Sequence, residues 1–225
     1  MPTVGILTIG QAPRPDRLGY DVQAVLGDGY RIVERGALDD LDRDQVRAMT
    51  PGPKDYHLVT LLRDGTPVQI AKRAILAHLQ RQIDRLEEVD GVSATLLLCT
   101  GAFPVFRARR PLIQPQAALY GIAIGLAGGA RIAAMIPAPE QRPQAEATWH
   151  ERGVHPLLIV ADPYGSDPCG TVRRAAEEAR DAALIVMDCF GYSLAMQEAA
   201  RSVFPGPVLL ARSRAARLLA EVAWS

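Results

Sequence analysis

Ala94-Thr95-Leu96-Leu97-Leu98-Cys99-Thr100-Gly101 and Ala183-Leu184-Ile185-Val186-Met187-Asp188-Cys189-Phe190-Gly191-Tyr192-Ser193 are the two stretches that decide the fold. Each is an apolar run closed by a cysteine and followed at once by small or polar residues. Runs of this length, bounded by turn residues, read as strands buried on both faces. A thiol at the carboxyl end of a parallel strand lies on the side of an α/β sheet where ligands bind. Two such thiols, one per half of the chain, suggest a site between the halves with one thiol on each face of the substrate.

Outward from these strands the pattern repeats as strand, loop, helix. Further strands are expected at Thr3–Ile9, Arg31–Glu34, Ala130–Ile136, Pro156–Val160 and Pro207–Ala211. Helical patterns fall near 16–26, 67–88, 139–152, 167–180, 194–203 and 212–222. This alternation argues for parallel sheets with helices on both faces. One segment departs from it: His57–Arg63, then Asp64-Gly65, then Thr66–Ile70 looks like a hairpin near residues 57–70. Asp-Gly suits a type I′ turn, whose two central residues both need φ > 0, and Pro67 demotes the second arm to an edge. The insertion could cover the site or mediate a dimer contact.

The halves resemble each other. The strand from Val4, followed by Gln11-Ala12-Pro13-Arg14, parallels Arg131–Ile136 followed by Pro137-Ala138-Pro139-Glu140-Gln141. The strand ending at Cys99 then parallels the one ending at Cys189. The expected architecture is two pseudosymmetric three-layer αβα lobes with mainly parallel sheets. Residues 1–118 plus 206–225 would form the first lobe and 119–205 the second. The switch falls near residues 117–130, where Gly121, Gly125, Gly128 and Gly129 cluster, and the last strand and helix are expected to return to the first half.

Composition narrows the function classes. Lys plus Arg equals Asp plus Glu at 25 each, so no global field favours nucleic acid or a membrane. Met1-Pro2-Thr3-Val4-Gly5-Ile6-Leu7 reads as a first strand, not as a leader, which points to the cytoplasm. Three cysteines there imply reduced thiols rather than a disulfide framework. With no CxxC or HExxH and four scattered histidines, no metal is expected.

A buried cysteine is often only a small hydrophobe. Here each thiol is followed by Thr100-Gly101 or Gly191-Tyr192-Ser193, which offer backbone N–H groups and hydroxyls before a helix start. Such a terminus favours anions and thiolates. Abstracting a proton next to a carboxylate needs a base on one face and an acid on the other, and a thiol, with an ordinary pKa of about 8.5, can serve as either. Cys99 and Cys189 are thus the catalytic candidates. Thr100, Gly101, Gly191, Tyr192 and Ser193 are candidates to bind substrate.

Thr8-Ile9-Gly10-Gln11-Ala12-Pro13-Arg14-Pro15-Asp16 also opens at the ligand side. Gly10 permits close backbone approach, Gln11 offers an amide and Arg14 a fork for a carboxylate. The alternative is a Pro-stiffened loop with a surface arginine. GxGxxG and GKS/T are absent, so it is not a dinucleotide or P-loop. Glu140, at the equivalent strand end of the second half, could contact substrate. Arg107, Arg109 and Arg110 read as a solvated basic face or as a lure for an anion. Asp188 is a paired structural carboxylate or a modulator of its neighbouring thiol. Cys169 has no counterpart in the repeat. No histidine falls in a triad order.

Together, Thr8–Asp16, Glu34-Arg35-Gly36-Ala37-Leu38-Asp39, Leu97–Phe103 and Met187–Tyr192 resemble the AroM family over nearly the whole chain. That family looks related to the aspartate/glutamate racemase superfamily. The resemblance implies two pseudosymmetric α/β domains with the site in the cleft. Cys99-Thr100 resembles the first catalytic cysteine of that superfamily and Cys189 the second, with Phe190 where a threonine is common. The implied activity is a cofactor-independent racemase, epimerase or isomerase using a two-cysteine acid/base pair on a small carboxylate. The alternatives are a single-cysteine isomerase or decarboxylase, and a non-catalytic small-carboxylate-binding regulator. No cofactor, nucleic acid or membrane partner is expected, and a homodimer is possible.

Overall fold

The computed structural model describes residues 1–223. The chain opens with β1 (Thr3–Thr8), α1 (Leu18–Leu26), β2 (Arg31–Gly36) and the short α2 (Arg43–Arg47). A hairpin of β3 (His57–Leu61) and β4 (Pro67–Ala71) then leads into α3 (Lys72–Glu88), β5 (Ala94–Leu98) and β6 (Leu112–Ile113). Next come α4 (Gln116–Ala127), β7 (Ile132–Ile136), α5 (Arg142–His150), β8 (Leu157–Val160) and α6 (Pro168–Glu178). The chain ends with β9 (Leu184–Met187), α7 (Leu194–Arg201), β10 (Val208–Leu210) and α8 (Ala211–Val222). Two compact units result: Met1–Pro115 with the chain from Ala215, and Gln116–Arg214.

Each unit is built on one four-stranded parallel sheet. The first has the order β2-β1-β5-β6, the second β8-β7-β9-β10. The two orders are the same when counted within each unit, so the repeat seen in the sequence is a repeat of topology. In each, the chain steps from its first strand to one side and then crosses to the other. Parallel crossovers are right-handed as a rule, so crossing to the other side carries the chain to the opposite face. In open sheets of this kind ligands bind at the carboxyl ends of the strands where the order reverses, here between the first and third strands. Those ends are Thr8 and Leu98 in one unit, Ile136 and Met187 in the other.

The sequence explains these elements locally. Every residue of β5, β7 and β9 is buried, as their unbroken apolar runs require. Helix α3 turns Ile75, Leu79, Ile83 and Leu86 inward at helical spacing, and all four are wholly buried. Each contributes roughly 1.5–3 kcal/mol by leaving water. Helix α2, though short, starts on a capping box: Asp42 accepts the N–H groups of Asp44 and Gln45, and Gln45 accepts that of Asp42.

Four expectations need correction. The hairpin exists, but its turn is not type I′. Leu62 N–H donates to Thr66 O and Gly65 N–H to Leu62 O, closing a three-residue loop in which only Gly65 has positive φ, at 87°. Arg63 and Asp64 keep ordinary backbone, and Gly65 takes the single left-handed position such loops need. The helix expected from Pro67 begins at Lys72, because Pro67–Ala71 pairs with β3. Residues 117–130, expected as the switch between the halves and not as a helix, hold α4, which tolerates Gly121 and Gly125 and ends at Gly128 and Gly129, both with positive φ. Finally, Val208–Leu210 does not return to the first half. It pairs with β9, the free sheet edge nearest after the short α7 crossover. Among the described residues no helix is long and apolar enough to cross a membrane.

Candidate functional site

Cys99 is the first residue beyond β5 and Cys189 the second beyond β9, beside each unit's first strand. These are the points where strand order reverses. Both thiols are half-buried, and neither is in a disulfide. The same hydrogen bond forms at each: Gly101 N–H donates to Cys99 Sγ at 3.3 Å, and Gly191 N–H donates to Cys189 Sγ at 3.2 Å. A backbone N–H aimed at sulfur stabilises the anion more than the neutral thiol. The turn therefore favours thiolate wherever it occurs.

The supports of the two turns differ. At Cys99, Ala102 is held at both backbone ends. Its N–H donates to Tyr56 Oη at 3.3 Å and its carbonyl accepts from Lys72 Nζ at 2.9 Å. Lys72 also lies 4.2 Å over the Tyr56 ring. Burial holds the Lys72 ammonium below its ordinary pKa, and the neighbouring Cys99 thiolate opposes that fall. Leu58 and Phe103 wall the turn at Gly101.

At Cys189 the corresponding support is Arg212, which is 1% exposed. Its Nη2 donates to Phe190 O at 2.6 Å and reaches Gly191 O at 3.4 Å. Tyr164 and Pro163 close over Gly191. Tyr192 is wholly buried and donates to Ala161 O at 2.6 Å. Burial, reinforced by Cys189 and then Asp188, pushes its phenol well above the ordinary range. Ser193 caps α7 by accepting Met196 N–H at 3.3 Å. Asp188 is buried and accepts a hydrogen bond from Tyr120 Oη of α4, and the Tyr120 ring stacks 3.9 Å from Trp149.

The loop after β1 is braced rather than open. Gln11 donates to Leu38 O at 3.2 Å and accepts from Arg63 N–H at 3.0 Å. Arg14 is buried, forked by Asp16 at 3.1 and 2.9 Å, and also donates to Thr8 and Thr60. Gly10 is required there, because a Cβ would collide with Leu61 O and the Thr60 hydroxyl of the hairpin. Asp39 ties the loop to the end of β2 by accepting Ala12 and Gly36 N–H, each at 2.7 Å.

The structure thus brings Gly101, and beside it Thr100, to the Cys99 turn, and Gly191, Tyr192 and Ser193 to the Cys189 turn. It packs Gly10, Gln11 and Arg14 against the hairpin. Glu140 is exposed in a short 3-10 turn after β7. Arg107 and Arg109 pair with Asp84 and Glu88 of α3, and Glu87 accepts the N–H groups of Arg109 and Arg110. They are the solvated face, not a lure. One cavity, of about 350 Å³, is lined by Ile124, Ala127, Arg131, Ile132 and His155, near the amino end of β7 and away from the thiol. Sequence reasoning missed Tyr56, Lys72, Tyr120 and Arg212. Their only sequence signal was position: Tyr56 and Lys72 flank the hairpin, and Arg212 follows the last strand.

The family model described as "AroM protein" matches residues 4–223. Solved structures share the fold. Aspartate racemase of Picrophilus torridus superposes with a TM-score of 0.65 at 12% identity, over 98% of this chain and 94% of that one. Arylmalonate decarboxylase gives 0.62 at 17% identity, over 100% and 93%. Allantoin racemase from Pseudomonas fluorescens gives 0.62 at 16% identity, over 97% and 89%. No curated protein sequence matches the chain.

Proposed function

We propose, on the premise that this chain belongs to the AroM family and has the fold of the aspartate/glutamate racemase superfamily, that it is a cofactor-independent racemase, epimerase or isomerase. Its substrate is a small molecule with an acidic carbon next to a carboxylate. Cys99 and Cys189 are the acid/base pair.

The observation that carries this reading is the repeated turn: two strand-end thiols, each accepting the N–H of a glycine two residues on, at equivalent reversals of strand order. In the reaction one thiolate takes the α-proton, and the electron pair of the broken C–H bond moves into the carboxylate as an enediolate. The other thiol returns a proton to the opposite face and becomes thiolate. Atoms and charge balance, and the thiols exchange protonation states, so no redox partner is needed. Thr100, Gly101, Gly191 and Ser193 are the groups at the turns suited to hold the carboxylate. In this reading Gly10, Gln11 and Arg14 shape the loop after β1 that borders the Cys99 turn. Tyr192 backs the Cys189 turn, and Glu140 lines the approach.

The test is solvent-deuterium exchange, followed by proton NMR, over a panel of α-amino, α-hydroxy and dicarboxylic acids. Wild type should exchange at least one, and Cys99→Ser and Cys189→Ser should each lose the exchange. Exchange with none of the panel would remove the proposal. A second reading, a single-thiol isomerase or decarboxylase centred on Cys99, is favoured by Lys72, a lysine on that thiol's turn where the Cys189 turn has an arginine. Carbon dioxide release that survives Cys189→Ser but not Cys99→Ser would select it. Carboxylate affinity kept in the double variant, with no turnover in wild type, would select a binding protein instead.

A further inference from the structure

We infer that Lys72 is a positioning residue for Cys99, and that its ammonium both pins the thiol turn and favours the thiolate there over the thiol. The inference deepens the acid/base reading and depends on it only for its catalytic meaning.

The argument begins at the hairpin. Lys72 follows β4 directly, and its own N–H donates to Tyr56 O at 3.0 Å, extending the β3–β4 ladder by one step. That fixes the lysine and tyrosine side by side although 16 positions separate them in sequence. The side chains then act on one residue. Lys72 Nζ, 4.2 Å from the Tyr56 ring centroid, donates to Ala102 O, while Tyr56 Oη accepts Ala102 N–H. With both backbone groups of Ala102 taken, the preceding Gly101 is held with its N–H on Cys99 Sγ. Among the described residues, the groups that meet the turn include Lys72 from α3, Tyr56 leading into β3, and the apolar Leu58 and Phe103. His57, the next residue, has its Nε2 at 3.2 Å from Gly52 O instead. A half-buried cation beside apolar walls acts across a low effective dielectric, so its field on the thiolate is less screened than in water. Lys72 is itself held below its ordinary pKa by burial, and the Cys99 thiolate offsets part of that cost. By linkage the benefit is mutual.

The Cys189 turn is pinned differently, by a wholly buried arginine on the Phe190 and Gly191 carbonyls. The cation behind Cys99 is a half-buried ammonium on one carbonyl, and the cation behind Cys189 is a buried planar fork on two. The repeat has therefore duplicated the turn and diversified the charge behind it.

The test needs no substrate. Iodoacetamide alkylates a thiolate, which displaces iodide and forms a thioether. Cys99, Cys169 and Cys189 fall on separate tryptic fragments, so one digest reports the rate at each. Alkylation of the full-length protein is measured against pH for wild type, Lys72→Gln, Lys72→Met and Lys72→Arg. Lys72→Gln keeps a donor for Ala102 O and removes the charge. The expected result is a roughly tenfold slower reaction at Cys99 near neutral pH in Lys72→Gln and Lys72→Met, with the rate profile moved to higher pH. Lys72→Arg should stay close to wild type, and Cys169 and Cys189 should not change. An unchanged Cys99 profile in Lys72→Gln overturns the electrostatic role. Equal changes at all three thiols, in Lys72→Gln and Lys72→Arg alike, assign Lys72 to the fold alone and overturn it too. Failure of deuterium exchange would leave this result standing, and failure here would leave the acid/base pair standing.

Discussion

The two thiol turns share one backbone plan and differ in nearly everything that supports it. Both place a glycine N–H on sulfur. Behind Cys99 stand a half-buried lysine, a tyrosine and a hairpin. Behind Cys189 stand a buried arginine, two tyrosines and a buried carboxylate. The residue before Cys99 is the apolar Leu98, and the residue before Cys189 is Asp188. The difference teaches that strand topology sets where a thiol can sit, while its ionisation is set by neighbours drawn from elsewhere in the sequence.

The largest expected effect tests the buried support. Arg212→Met leaves the Phe190 and Gly191 carbonyls without their donor in a site closed to water. Stranding buried acceptors costs about 1–3 kcal/mol each, so a loss of about 3 kcal/mol is expected. Lys72→Met, at a half-buried site with one carbonyl, should cost about 1 kcal/mol. Urea unfolding at constant slope measures both. Equal losses would erase the contrast between a wholly buried support on two carbonyls and a half-buried one on a single carbonyl.

Next comes the carboxylate that only one turn has. Tyr120→Phe keeps the stack on Trp149 and removes the hydroxyl that donates to Asp188. A hydrogen bond to a charged group contributes roughly 1.5–3 kcal/mol, so a loss near 2 kcal/mol is expected. Leu98→Asp in the other unit would bury a carboxylate without such a donor and should be worse than the Tyr120 change. If Tyr120→Phe is neutral, Asp188 gains little from its phenol and the asymmetry is decorative.

These contrasts mark the limit of what the sequence reveals. The sheet strands were legible because unbroken apolar runs have few other places to go, and the thiols because they close such runs. Helix α4 was hidden because Gly121 and Gly125 imitate a linker, and only Gly128 and Gly129 at its end take the positive φ that glycine suits. The turn at Gly65 was misread because Asp-Gly satisfies two hairpin loops, and the choice depends on the register of β3 on β4. Arg14 reads equally as a fork for a carboxylate and as a surface arginine of a stiff loop; the structure buries it with Asp16, two residues away, in its fork. Tyr56, Lys72, Tyr120 and Arg212 were invisible because each acts on a turn 22 to 68 residues away, and no local pattern records a contact of that range.

A smaller effect compares matching glycines. A Cβ at Gly191 would lie 2.5 Å from Tyr164 Oη and 2.8 Å from Pro163 Cγ, whereas at Gly101 the nearest atoms are 3.2 Å away in Leu58 and Phe103. Neither glycine has positive φ, so the contrast is steric alone. Gly191→Ala should cost about 1–2 kcal/mol and displace Tyr164, and Gly101→Ala under about 1 kcal/mol. Thermal unfolding of the two variants orders them, and the reverse order would show that the tyrosine wall is loose.

The smallest effect concerns Glu34 on β2, for which the corresponding strand Leu157–Val160 has no ionisable residue. Glu34 lies against Gly19 and accepts Arg14 N–H at 3.4 Å. Burial raises its pKa, and the hydrogen bond from Arg14 only partly offsets this. Folded Glu34 therefore holds its proton more tightly than the unfolded chain does. That contribution to stability is fully present below the unfolded value of about 4.3, and it is lost as pH rises through the raised folded value. At neutral pH the ionised, partly buried carboxylate is a small penalty. Glu34→Gln removes the titration and keeps an acceptor for Arg14 N–H. The variant should match wild type in acid and gain on it from about pH 4.3 upward, to a plateau above the folded value. Native-state hydrogen exchange localises the gain: amides of β2 should become better protected at pH 7, and those of β8 should not. Parallel pH curves for the two proteins would mean that Glu34 is as well solvated folded as unfolded, and the outer strands of the two units would then be electrostatically alike.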